Sequence, residues 1–171
     1  MDTKLTTKSQ EALSASGMNA STAGNPQIEP AHLLKALLDQ RDSVAVALLK
    51  TAGLDVDALS VKASSLIKAL PSSSGSSVAQ AQFSRQLLQV VNNAQEAATE
   101  MGDTYVSTEH LLIALTSDQT KTGEALRELG ATRDLLVGTL PTIRGDRKVD
   151  NPNPEATFQS LEKFGTDMKI G

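Results

Sequence analysis

Cysteine and tryptophan are both absent from this 171-residue chain. Without thiols there is no disulfide framework, no thiolate metal site and no sulfur nucleophile. Aromatic side chains are scarce as well: Phe83, Tyr105, Phe158 and Phe164 are the full set. The core must therefore be built from Leu, Val, Ile and Ala, a palette that suits closely packed helices better than sheets. A basic excess is missing too. The formal charge is −4 and the pI is near 5.2, and no run of Lys and Arg supplies a footprint for nucleic acid. Neither a signal-type apolar core nor an apolar run of membrane length is present, so no membrane partner is expected and a cytoplasmic location fits. There is no GxxxxGK[ST] phosphate loop and no nucleophile elbow. Those absences predict a chain with no catalytic site, no metal and no cofactor of its own.

What is present is a duplication. IEPAHLLKALL (28–38) and YVSTEHLLIAL (105–115) read as two copies of one element, with His32 and His110 in register at an offset of 78. The offset holds upstream, where Leu5 meets Phe83, Leu13 meets Val91, Ala20 meets Ala98 and Gly24 meets Gly102, and downstream as far as Leu48 and Leu126. One residue is then lost, because Gly53 answers to Gly130. A period this long exceeds one helical hairpin, and two copies are too few for a solenoid. The expectation is an all-α domain over residues 1–143, made of two pseudo-symmetric four-helix repeats (1–71 and 78–143).

Punctuation predicts the helices. Thr7-Lys8-Ser9-Gln10 has capping-box spacing and opens the first, which carries Ala12, Leu13, Ser16 and Ala20 before Gly24-Asn25-Pro26 stops it. Pro30 suits a first helical turn, and Leu33, Leu34, Leu37 and Leu38 then make a wide apolar face. Asp42 or Ser43 caps a third helix ending at Gly53, and Asp55 opens a fourth with Leu59, Leu66, Ile67 and Leu70 inward. In the second copy Ser84 (after a Phe83 staple), Ser107, Thr122 and Thr132 take the capping positions.

Between the copies, PSSSGSS (71–77) has the composition of a flexible hinge. After Ile143, RGDRKVDNPNPEA changes to a polar linker with two Asn-Pro steps. Asn153-Pro154 can start a last helix in which Phe158, Leu161, Phe164 and Met168 form an apolar stripe. That stripe has no partner within the chain, so residues 144–171 read as a segment leading to a further module.

Candidate chemistry is sparse. The two histidines occupy equivalent places at the start of each central helix, where an imidazole contacts neighbouring backbone more readily than a metal. Asp103 and Glu109 flank the break before the second central helix. Glu109 in a first turn meets the positive end of the helix dipole, and Asp103 suits a turn after Gly102. Thr7 has a capping role that accounts for it locally. Asn19-Ala20-Ser21 and Arg144-Gly145-Asp146 match short motifs by chance. An enzyme using Asp103 and Glu109 as an acid and base has no accompanying nucleophile or metal site.

Taken together, AGNPQIEPAHLLKALL, its echo DTYVSTEHLLIAL, the helix ends TAGLD and LGA, and the tail ATFQSLEKFGTDM resemble the duplicated N-terminal domain of the ClpB-type AAA+ disaggregases. The resemblance implies a substrate-engaging domain tethered above a hexameric ATP-driven ring, ATP belonging to the absent modules. It implies weak capture of unfolded or aggregated proteins, delivery to the pore, cooperation with co-chaperones and a monomeric isolated domain. Thr7, Asp103 and Glu109 match polar positions the family associates with substrate handling, and the family's groove corresponds here to Val91, Asn93, Ala97 and His110. The alternative is the adaptor- or phosphoarginine-binding N-domain of a protease-linked Clp unfoldase. Those domains resemble TEH in both copies, whereas this chain has Thr108-Glu109-His110 in one and Pro30-Ala31-His32 in the other.

Overall fold

The structure, a computed structural model, describes residues 3–72 and 81–154. Most of the expected hinge, and the expected last helix with its Phe158, Leu161, Phe164 and Met168 stripe, lie outside the described residues. The described chain is all-α apart from four strand residues. The first copy contributes α1 (Thr7–Thr22), α2 (Pro30–Asp39), α3 (Val44–Thr51) and α4 (Val56–Lys68). The second contributes α5 (Arg85–Glu100), α6 (Thr108–Thr116), α7 (Lys121–Glu128) and α8 (Arg133–Arg144). The central helices α2 and α6 are buried almost all round, consistent with their near-continuous apolar sequence. Each packs against the first helix of its own copy, and the copies meet through α3 on α8 and α4 on α7.

Two short parallel pairings interlock the copies, and neither was expected. β1 (Gln27–Ile28) pairs with β2 (Gln82–Phe83), placing Ile28 opposite Phe83, and an isolated bridge joins Leu5 to Val106. These are the same pairing seen twice, since Leu5 is the counterpart of Phe83 and Ile28 of Val106 at the offset of 78. In each, the amide after the first-helix strand donates across: Thr6 to the Val106 carbonyl at 3.0 Å and Ser84 to the Ile28 carbonyl at 3.1 Å. The segment before the first helix of one copy thus holds the segment before the central helix of the other.

That pairing moves the first cap by one residue. Thr6, fixed in extended conformation by its bond to Val106, is the N-cap of α1, and its Oγ1 accepts from the Ser9 amide at 3.2 Å. Thr7 is the first helical residue, and its amide donates to the Pro152 carbonyl instead. Gln10 does reach back, but to the Leu5 carbonyl. We expect Thr6→Ala to lower stability by about 1 to 2 kcal/mol and Thr7→Ala by under about 0.5 kcal/mol in urea unfolding. Equal losses would show that the cap does not lie at Thr6.

Other boundaries follow the sequence with local differences. Ser43, not Asp42, caps α3, while Asp55, Ser84 and Thr132 cap as their positions suggest. Thr120, not Thr122, caps α7, because Asp118 binds the Thr120 amide and hydroxyl and the Gly123 amide, starting the helix early. On α4 the fully buried positions are Leu59 and Ala63, whereas Leu66, Ile67 and Leu70 are only half-buried. Phe83 lies in β2 and is largely exposed rather than closed as a staple.

Candidate functional site

The two copies carry the same clamp at the start of their central helices. In the first, His32 Nδ1 accepts from the Glu29 amide at 2.9 Å and Nε2 donates to Asn25 Oδ1 at 2.9 Å. In the second, His110 Nδ1 accepts from the Ser107 amide at 2.8 Å and Nε2 donates to Asp103 Oδ2 at 2.7 Å. Because the backbone N–H can only donate, the proton of each ring sits on Nε2. Both imidazoles are buried, so their nitrogens are committed to the turn before the helix.

Charge distinguishes the copies. Where the first has Asn25, Ala31 and Ile67, the second has Asp103, Glu109 and Arg144, the last at the offset of 77 that follows the lost residue. The three charged side chains meet in the interior. Arg144, in the last turn of α8, donates to Asp103 Oδ2 at 2.8 Å and to Glu109 Oε2 at 3.3 Å. Glu109 is 0% exposed and Asp103 7%. Oε1 of Glu109 is buried and accepts nothing from the described protein atoms. Two carboxylates thus share one guanidinium, which their burial makes indispensable.

The same aspartate fastens the chain beyond α8. Asp103 Oδ1 accepts from the Val149 amide at 2.9 Å, and the Val149 carbonyl accepts from the amides of Thr104 and Tyr105. Val149 is fully buried, Lys148 donates to the Met101 carbonyl, and the Pro152 carbonyl takes the Thr7 amide. Residues 148–152 therefore form a strap over the break between α5 and α6 that ends beside the start of α1. Asn25 repeats the latch with opposite polarity, donating from Nδ2 to the Pro71 carbonyl.

Two of these groups titrate away from their ordinary ranges. Burial holds the His32 imidazole low. Burial alone would raise the Asp103 carboxyl, but hydrogen bonds from His110, the Val149 amide and Arg144, with the charge of Arg144, outweigh it and hold it low. An unfolded chain therefore takes up a proton at His32 that the folded chain refuses, and stability falls as pH drops below about 6.5. The Asp103 contribution is present above about pH 4 and is lost as pH falls through its depressed folded value. Melting temperature against pH should show both losses in the parent. Asp103→Asn should keep the upper one and shrink the lower, to which Asp42, held low by its hydrogen bond from Lys8, also contributes; an unaltered acid limb would contradict this assignment.

The Clp repeat N-terminal domain family matches the chain over residues 4–129. The chain belongs to that family. Among curated relatives, the ClpB chaperone of Corynebacterium diphtheriae is 46% identical over 163 residues, 95% of this chain and 19% of that protein. ClpB of Mycobacterium tuberculosis is 42% identical with the same coverage. The chain spans about a fifth of these relatives and matches the N-terminal domain of a ClpB-type chaperone. Among solved structures, the Hsp104 N-terminal domain of Candida albicans superposes with a TM-score of 0.77 at 22% identity, covering 89% of this chain and 99% of that one. The ClpV N-domain in complex with a VipB peptide gives 0.65 at 24%, covering 84% and 88%. At such identities the likeness is one of fold.

In this Clp repeat domain the expected site residues divide into two groups. Asp103, Glu109 and His110 converge at the buried cluster, and Thr7 lies at the far end of the strap they hold. Val91, Asn93 and Ala97 lie on α5. Two residues of helix turn about 200°, so Val91 and Asn93 face nearly opposite ways and do not line one surface. Both are half-buried, Asn93 accepts from Gln89, and Ala97 is buried. Arg144 is the residue that the sequence does not single out, standing there as the first residue of the linker and part of a chance tripeptide. The signal for it was the appearance of two acids in the second copy at positions that are neutral in the first. Among the described residues no group of His, Cys, Asp and Glu is arranged to hold a metal, and no helix is long and apolar enough to cross a membrane.

Proposed function

We propose that this domain is the substrate-engaging N-terminal module of an ATP-dependent, cytoplasmic protein disaggregase. It binds unfolded or aggregated polypeptides weakly and passes them to a hexameric AAA+ pore formed by the remaining ClpB modules. The observation that carries the reading is the 42–46% identity to ClpB chaperones across 95% of the chain. A neighbour of the same fold that binds a peptide supports it. ATP and the co-chaperone interface belong to the other modules, and the isolated domain works as a monomer without a cofactor. A dissociation constant of about 0.1 to 1 mM suffices when six copies are tethered over one pore, because effective concentration replaces affinity.

Within this reading Asp103, Glu109 and His110 serve substrate handling by holding the strap and the start of α6, not by touching the client. The adaptor- or phosphoarginine-binding alternative is disfavoured by the same cluster. Glu109 already holds a guanidinium, that of Arg144, and the equivalent first-copy residue is Ala31. The test is a chimera in which this chain replaces the N-terminal fifth of the C. diphtheriae ClpB. Reactivation of a heat-aggregated client should exceed that of the same ClpB lacking the segment. Equal rates would sink the receptor reading.

A further inference from the structure

The charged cluster is more than the break beside it requires. The first copy closes the same break with Asn25, Ala31 and Ile67, all neutral, and its histidine makes the same two bonds. What the charges add is a second acceptor. An asparagine that takes the histidine on Oδ1 has only a donor left, which Asn25 gives to the Pro71 carbonyl. A carboxylate accepts on both sides. Asp103 takes His110 and Arg144 on Oδ2 and keeps Oδ1 for the Val149 amide, while Arg144 lets it stay ionised in the interior. The triad is thus built around the strap rather than around the helices. The strap's own hold is slight. Val149 and Pro154 are buried, whereas Gly145, Asp146, Arg147, Lys148, Asp150, Pro152 and Asn153 are exposed. Its main-chain bonds reach Thr104, Tyr105 and Thr7, and Lys148 reaches the Met101 carbonyl. Lifting it exchanges the Val149 amide on Asp103 for water and leaves the bond to Arg144 in place, so no charge is stranded. Gly145, at φ 57°, ends α8 and gives the chain a pivot.

We propose that residues 146–154 open and close as one strap on a folded domain, with Asp103 as the latch and Gly145 as the pivot. A segment with few buried groups and few backbone bonds opens at a smaller free energy than the whole domain. The chain then has two points of departure. With the strap shut it leaves beside the start of α1, where the Pro152 carbonyl takes the Thr7 amide; with the strap open it leaves from the end of α8. Opening adds about 30 Å to the reach of a following module, since each freed residue extends by at most about 3.3 to 3.6 Å. This device goes beyond the receptor reading and does not rest on it.

The test is native-state amide hydrogen exchange of the isotopically labelled 171-residue chain, read by NMR at several urea concentrations below the unfolding transition. The amides of Val149, Thr104 and Tyr105 should share one protection factor, lower than that of the α6 amides of Leu111 and Leu112 by roughly 100-fold or more and nearly independent of urea. A remote change in the core separates local from global opening. Ala63→Gly, in the buried face of α4, should lower α6 protection by about fivefold or more and leave the strap amides unchanged. Two changes at the latch should act on the strap itself: Asp103→Asn and, with the charged triad intact, Val149→Gly should each lower protection at Thr104 and Tyr105 by about tenfold or more. Strap amides that exchange at the α6 rate, or that follow α6 in Ala63→Gly, would show that the strap opens only when the domain unfolds and would overturn the proposal. Strap amides without protection in the parent, or unmoved by both latch variants, would overturn it as well. None of these outcomes bears on the receptor reading, which the chimera tests.

Discussion

Replacing Arg144 with methionine should lower the unfolding free energy by about 3 to 5 kcal/mol, because the change leaves two buried carboxylates without their shared cation. For a chain of this length that is a fall in melting temperature of roughly 6 to 20 °C. Methionine keeps the bulk and flexibility of the arginine stem, so the loss reports the charge more than a cavity. The first copy supplies the rescue. Asp103→Asn, Glu109→Ala and Arg144→Ile together install the residues found at Asn25, Ala31 and Ile67. Asparagine Oδ1 can still accept from His110 Nε2, as Asn25 does from His32. This triple variant should recover most of that loss and fall short of the parent by about 1 to 2 kcal/mol, since a buried ion cluster is often matched by a neutral replacement while the Val149 amide, facing asparagine Nδ2, loses its acceptor. A triple variant as unstable as Arg144→Met would show that the single change acts through packing. If the triple variant folds well and the chimera carrying it fails to reactivate aggregates, the charges serve function beyond the fold.

The second large effect runs against helix propensity. Gly123 lies inside α7, where alanine would ordinarily favour the helix by about 1 kcal/mol. Here an added Cβ would collide with the Asp118 backbone carbonyl, which closes over Gly123 from the turn that caps the helix. Backbone cannot step aside as a side-chain tip can, so Gly123→Ala should destabilise by about 2 to 3 kcal/mol. Gly138 in α8 is the control, with no atom within 4 Å of the same added group. Gly138→Ala should stabilise by about 0.5 to 1 kcal/mol. Denaturant midpoints moving in the same direction for both would refute the steric account. The first copy holds Ala45 at the position of Gly123, where α3 starts one residue later in register than α7 does.

Much of the fold was legible because the chain states it twice. The repeated His and Leu pattern marked α2 and α6 as central, and the caps at Asp55, Ser84 and Thr132 could be read from side-chain chemistry alone. What could not be read depended on atoms far apart in sequence. Thr6 caps α1 in place of Thr7 because Val106, in the other copy, fixes its backbone. A two-residue strand has no periodicity to detect, so β1 and β2 left no trace. At the site, local chemistry placed Asp103 beside a turn and Glu109 in a first turn, and both are there. It could not show that they face each other across Arg144, although the matched change from Asn25, Ala31 and Ile67 contained that information. Val91 and Asn93 share a helix but not a side of it.

The reciprocal strand pairings have a consequence for how the polypeptide can be divided. Each copy lends its leading strand to the other, so neither holds a complete set of its own backbone partners. Cutting the chain between Ser72 and Ala81 should therefore not release two independent folds. The fragments should stay together as a non-covalent pair, each disordered when purified alone and regaining helicity only on mixing, in the isologous manner of a symmetric dimer. Circular dichroism of the separate and mixed fragments would read this directly, and native helicity in either fragment by itself would contradict it. The linking segment then acts as a concentration device rather than a structural one, and the Clp repeat behaves as a dimer written into a single strand of polypeptide.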